Sequence, residues 1–293
     1  MTTLPFAGSA SINDASTLAL LDAIKLNVTP PPISAFLTDY RKWVASSSSN
    51  TMDGFDLFSV AEYCNGSTEA FDKFYIRNHS RRFRIFRGEY LYHAMTWLDC
   101  KHDWKYVEDG PLEENDALLV SVPFAGTGNV HEQFDEVMEE CGRLYIPVLV
   151  DCTYFGICSN VHFNFDHSAI KEVVFSLSKV FPISKMRVAM RLSAGDFDDG
   201  ISAYNKIGYV NEYSAAIGHQ FIQAFGPDYI PTKYKDAQQE FCAFLNVAPS
   251  NTVIYGIGDD NWAAYKRGIR ENDTNRLSFH RFLHDKQKFY DAI

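Results

Sequence analysis

The chain has 293 residues, 46% of them hydrophobic and 22% charged, which is ordinary for a soluble globular protein and enough for one large core or two modest ones. A formal net charge of −10 and an isoelectric point near 5.3 argue against a nucleic-acid partner or an anionic membrane surface. No apolar run is long enough to span a bilayer, no basic region followed by an apolar stretch opens the chain, and the six cysteines form no Cys-x-x-Cys pair, so a cytoplasmic protein with reduced thiols is expected.

The first fifty residues carry weak patterning. A short capped helix is expected over 11–22, a break at Pro30, Pro31 and Pro32, a helix over 33–44, and a loop over 46–50. Asn65, Gly66, Ser67 and Thr68 then follow a short apolar segment and open a helix over 70–76. Arg82, Arg84 and Arg87 alternate with Phe83, Ile85 and Phe86, which reads as a half-buried strand over 83–86 instead of a basic nucleic-acid patch. A turn at 88–90 follows. The continuous apolarity of 117–123 marks a buried strand, followed by a loop over 124–128 and a helix over 130–141. Another buried strand, 146–150, delivers Asp151 to its C-terminal end, and two more are expected over 173–177 and 187–192. From Tyr204 the pattern predicts a long helix, a second over 232–245, and then strand 252–256, helix 263–267, strand 276–279 and helix 284–292.

Buried strands separated by helices imply an α/β fold with a mostly parallel sheet flanked by helices, joined to a smaller α+β unit. The division expected is a large domain over 51–203 and a small one made of 1–50 with 204–293. Ligands of such sheets gather at the carboxyl ends of the strands, where Asp151 and Lys179 both fall.

Each candidate also has an ordinary structural reading. Ser67 and Thr68 at a helix start suit a phosphate, and equally a plain N-cap. Lys179 could be a solvated lysine, Arg187 an ion-pair partner, and Tyr90 and Tyr154 the edges of a core. Gly256 and Gly258 are only two glycines of a dinucleotide fingerprint. The histidines show no metal-ligand spacing, and no Gly-x-Ser-x-Gly elbow is present.

Taken together, the motifs resemble those of the fold-type I pyridoxal-phosphate enzymes, in particular the class I/II aminotransferases and, among these, the histidinol-phosphate aminotransferases. The resemblance runs from about residue 60 to the C-terminus. Asn65-Gly66-Ser67-Thr68 is similar to the family's phosphate-binding turn, and Tyr90 to the aromatic residue placed over the pyridine face. Asp151-Cys152-Thr153-Tyr154 resembles the acid that answers the ring nitrogen and the tyrosine beside the phenolic oxygen. Ser176-Leu177-Ser178-Lys179 resembles the family's Ser-x-Ser-Lys, which implies that Ser176 grips the cofactor phosphate and that Lys179 forms the Schiff base. Arg187, eight places on, matches the phosphate-binding arginine, and Arg276 the one that clamps a substrate carboxylate.

The resemblance therefore implies bound pyridoxal 5′-phosphate, a homodimer, and transfer of an amino group from a carboxylate-bearing donor to a keto acid or aldehyde. Other reactions of the same cofactor (elimination, decarboxylation, racemisation) and a non-catalytic binding subunit are the alternatives. The chain departs from the pattern where Ala125 stands for the family's second asparagine, where Pro182 and Lys185 replace its glycines, and in an N-terminal region without an evident counterpart.

Overall fold

The computed structural model describes residues 4–26, 29–266 and 275–293. Helices α1 (Ala15–Ala23) and α2 (Ile33–Ala45) lead into strands β1 (Thr51–Asp53) and β2 (Val60–Asn65), helix α3 (Ser67–Arg77) and strand β3 (Arg82–Ile85). Helix α4 (Leu91–Cys100), strands β4 (Trp104–Tyr106) and β5 (Asp116–Ser121), helix α5 (Phe134–Arg143) and strand β6 (Val148–Asp151) follow. Next come β7 (His162–Asn164), β8 (Ile170–Ser176) and β9 (Val188–Ser193), then helices α6 (Gly200–Lys206), α7 (Glu212–Ala224) and α8 (Tyr229–Leu245). Strands β10 (Ala248–Pro249), β11 (Tyr255–Gly258) and β12 (Asn275–Ser278) and helix α9 (Lys286–Tyr290) complete the chain.

Seven strands form the central sheet in the order β2-β9-β8-β6-β5-β3-β4. The pairings from β8 across to β4 are parallel, and β9 runs antiparallel between β8 and β2. Alternation along each strand sends side chains to two cores. Leu118, Val120, Val148 and Val150 meet Met138 of α5 on one face. Ala117, Leu119, Leu149 and Val174 meet Phe71 and Phe74 of α3 and Trp97 of α4 on the other. Burial on both faces explains why these strands read as unbroken apolar runs.

A smaller antiparallel sheet, β10-β11-β12, is built from the C-terminal part of the chain. Phe6, far away in sequence, wedges against it. Its ring lies 6.0, 5.4 and 5.9 Å from those of Phe279, Phe282 and Phe289, and its carbonyl accepts the Ser278 N–H at 2.8 Å.

Several local expectations are corrected. The long helix from Tyr204 is interrupted: Gly208 turns at φ +70°, and Asn211 caps a new helix by accepting the Ser214 N–H at 3.0 Å. The helix expected over 130–141 starts only at Phe134, after a turn closed by Phe134 N–H on the His131 carbonyl. Arg187 lies outside β9, in the left-handed region at φ 57°. The helix expected over 263–267 is a 3-10 helix, Asp260–Tyr265, and Arg267 lies outside the described residues. Arg84, expected on the exposed side of a half-buried strand, is fully buried and donates to Asp116 at 2.7 Å and to the Gly110 carbonyl at 2.6 Å.

A second buried charge cluster joins β2, β8, β9 and α3. Arg191 bonds Glu62 at 2.5 Å and Asp199 at 2.6 Å, and Arg77 pairs with Asp199 and Glu172. Both guanidinium groups lie over the Phe197 ring, at 3.8 and 5.0 Å. Three acids share two guanidinium groups, and burial pushes the surplus acid, Glu172, up to about 7.

Candidate active site

The parallel strands end at a common edge, and the loops leaving them enclose a cavity of about 300 Å³. Its position follows from topology: β5 supplies Ser121, β6 supplies Asp151, and the turn after β8 supplies Ser178 and Lys179. In the parallel pairing Ser121 and Asp151 are direct neighbours, and the Val122 N–H bonds the Asp151 carbonyl at 2.9 Å.

Asp151 is 6% exposed, and burial pushes its carboxyl up to about 6. Thr153 resists that rise, with its N–H at 3.0 Å and its hydroxyl at 2.5 Å from Oδ1, and the charge of Lys179 resists it further. Lys179 is mostly buried, and loss of solvent lowers its ammonium below the usual lysine range. Its Nζ donates to the Ser9 carbonyl at 2.9 Å. The site thus sets a lysine of lowered basicity in the same cavity as a carboxyl of raised affinity for its proton.

At one end lies an anion cradle. The N-terminus of α3 offers Ser67 and Thr68, and the Arg187 guanidinium donates to the Thr68 hydroxyl at 3.0 Å. Gly66 precedes the helix at φ +80°, where a Cβ would collide with the Arg187 guanidinium. The backbone of Arg187 is itself held by Tyr63, whose hydroxyl donates to the Arg187 carbonyl at 3.1 Å. At the other end Arg276 stacks at 3.9 Å over the Tyr255 ring and donates to the Ala125 carbonyl. Among the described residues its buried Nε has no hydrogen-bond partner. The Tyr255 hydroxyl donates to the Tyr154 hydroxyl at 2.8 Å, which fixes the phenol against the same arginine.

The structure brings Ser67, Thr68, Tyr90, Asp151, Tyr154, Lys179, Arg187 and Arg276 to this one cavity. Gly66 and Ser176 stand just behind its wall. Gly66 makes room for Arg187, and the Ser176 hydroxyl lies 2.6 Å from that of Ser178, which does face the cavity. Sequence reasoning missed Thr153, Ser121, Ser184 and the pair Gly8 and Ser9. Thr153 sits inside a motif already singled out and was legible there. Gly8 and Ser9 lie in a segment without periodicity, and no local signal marks them. Among the described residues no cluster of three or more His, Cys, Asp or Glu is placed to hold a metal ion, and no helix is long and apolar enough to cross a membrane.

The residues present fit a phosphorylated, aldehyde-bearing heterocycle: a cradle for a dianion, a carboxylate for a ring nitrogen, and an amine for a carbonyl carbon.

No protein-family model matches the chain, and a search of curated proteins finds no match. Solved structures do match. The C-S lyase of Staphylococcus hominis, bound to pyridoxal phosphate, superposes with a TM-score of 0.73 at 10% identity over 99% of this chain and 87% of that one. N-succinyldiaminopimelate aminotransferase of Mycobacterium tuberculosis gives 0.69 at 13% identity, covering 98% and 92%. Histidinol-phosphate aminotransferase of Clostridium acetobutylicum gives 0.65 at 12% identity, covering 98% and 97%. The likeness therefore extends through the N-terminal residues that sequence comparison could not place. At these identities what is shared is the architecture, and the chain has the fold of the fold-type I pyridoxal-phosphate-dependent enzymes.

Proposed function

We propose that this protein is a pyridoxal-phosphate-dependent aminotransferase, moving an amino group between a carboxylate-bearing amine and a keto acid or aldehyde. The observation that carries the reading is the cavity shared by Lys179, Asp151 and the Ser67–Thr68–Arg187 cradle, at the carboxyl ends of the parallel strands. In this reading Ser67, Thr68 and Arg187 hold the cofactor's phosphate, with Gly66 giving Arg187 its room and Ser176 steadying Ser178. Asp151 answers the ring nitrogen, Tyr154 the phenolic oxygen, and Tyr90 covers a ring face. Lys179 holds the cofactor covalently, and its lowered basicity suits it to take a proton from the substrate Cα. When bound, the cofactor supplies an electron sink for charge left on that carbon. Arg276, which lines the same cavity, orients the carboxylate. The large domain over 51–203, the small domain of 1–50 with 204–293, and a homodimeric assembly belong to the same proposal.

A second reading keeps the cofactor and changes the bond broken, to elimination or decarboxylation. It is supported by Ala125, which places a methyl group where the family resemblance leads one to expect an amide, and by the C-S lyase among the structural neighbours. One experiment separates the two. The purified protein is mixed with pyridoxal phosphate, its visible spectrum recorded, and a panel of amino donors added. Conversion of the cofactor to its amine form with release of a keto acid is expected. Ammonia or carbon dioxide without that conversion overturns transamination, and a protein that never binds the cofactor overturns both readings.

A further inference from the structure

Beside Asp151 lies a second buried acid that none of the motifs accounts for. Glu89 is 4% exposed, in the turn between β3 and α4. Its Oε1 accepts the Ser121 N–H at 2.7 Å, its Oε2 accepts the Ser121 hydroxyl at 2.7 Å, and Oε2 also takes the Tyr90 N–H at 3.1 Å. One carboxylate thus ties the end of β5, the cross-strand neighbour of Asp151, to the residue that brings an aromatic ring to the cavity. Three donors on one buried group favour its ionised form, and among the described residues no cation is bonded to it.

We propose that Glu89 is a positioning residue of this site: through Ser121 and Tyr90 it fixes the wall around the group that Asp151 would answer, and its charge adds to that of Asp151. The inference rests on the cofactor reading above. The charged group that meets it here is Asp151 at the end of β6; Tyr75 on α3, whose phenol burial holds well above its ordinary range, stays neutral with its hydroxyl 2.5 Å from Nδ1 of His93 on α4, and burial keeps that imidazole neutral, near 3. Burial and the neighbouring Asp151 push Glu89 up to about 7, so its charge responds to pH in the range where such enzymes work. Removing that charge makes any positive charge on the ring harder to keep.

The test compares wild type with Glu89→Gln and Glu89→Asp, each loaded with pyridoxal phosphate. Two readings are taken: the cofactor's dissociation constant and the pH midpoint of its visible absorption. Gln fills the same volume but turns an amide towards an N–H donor, so a dissociation constant ~10–100-fold higher and a midpoint lowered by about one pH unit are expected. Asp keeps the charge and restores the midpoint. Ser121→Ala, which loses only the hydroxyl anchor, moves the midpoint the same way by less and serves if Glu89→Gln does not fold. A Gln variant with the wild-type midpoint, or an Asp variant that behaves like Gln, overturns the proposal. A wild-type chain that takes up no cofactor overturns the cofactor reading itself, so the two failures are distinct.

Discussion

Replacing Asp151 with Asn separates what this carboxyl does for the fold from what it does for the site. Asn keeps an acceptor for the two Thr153 donors, so packing is preserved and only the ionisable proton is lost. In the cofactor-free protein burial raises this carboxyl from its ordinary 3.8 to about 6. Each pH unit of that rise corresponds to ~1.4 kcal/mol, so ionised Asp151 costs the empty fold on the order of 3 kcal/mol. The folded state holds the proton more tightly than the unfolded chain. Its stabilisation is therefore complete below pH ~4 and is lost as pH rises towards 6. Urea unfolding of the cofactor-free wild type and Asp151→Asn should agree near pH 4 and diverge above it, the variant being more stable by roughly 3 kcal/mol at pH 7.5. With pyridoxal phosphate present the order should reverse, because Asn cannot answer a ring cation; more stability and less function is the expected exchange at such a site. A difference that does not grow with pH, or a variant less stable than wild type at pH 7.5, refutes the reasoning.

Lys179→Ala should abolish covalent capture and lower activity by roughly 10⁴-fold or more; borohydride reduction followed by mass spectrometry should find the cofactor on wild type and not on the variant. Gly66→Ala puts a Cβ into the Arg187 guanidinium at a left-handed backbone position, so a loss of ~1–3 kcal/mol in thermal unfolding and a weaker hold on phosphate are expected. Glu172→Gln removes the surplus charge of the β8–β9 cluster. Glu172 is raised from 4.5 to about 7, so wild-type stability falls across that window and the variant, lacking that fall, should gain on the order of 3 kcal/mol by pH 8 in urea melts.

The parallel sheet was legible in the sequence because burial on both faces leaves runs such as Leu118-Leu119-Val120 and Val148-Leu149-Val150 without polar interruption. Asp151, Lys179 and Arg187 were legible for a related reason. Each stands a fixed few residues from a strand end, so local spacing carries most of the geometry. What escaped depends on long-range contact. Glu89 reads as a turn residue until Ser121, thirty-two positions away, is brought over it. Arg84 and Arg191 look like surface charges until Asp116 and Glu62 arrive from neighbouring strands. Strands β1 and β7 pair only three residues each, too few for alternation to register.

The placement of Phe6 and Ser9 has a practical corollary. Five aromatic side chains around Phe6 anchor the leading segment as a plug, and three positions later its backbone oxygen accepts from the Lys179 amine. Trimming this end, or fusing a tag close to it, would loosen the plug and hand the lysine back to water, raising its basicity and slowing any chemistry that begins from the neutral amine. Activity measured on a shortened form would then report on the missing plug as much as on the residues of the cavity.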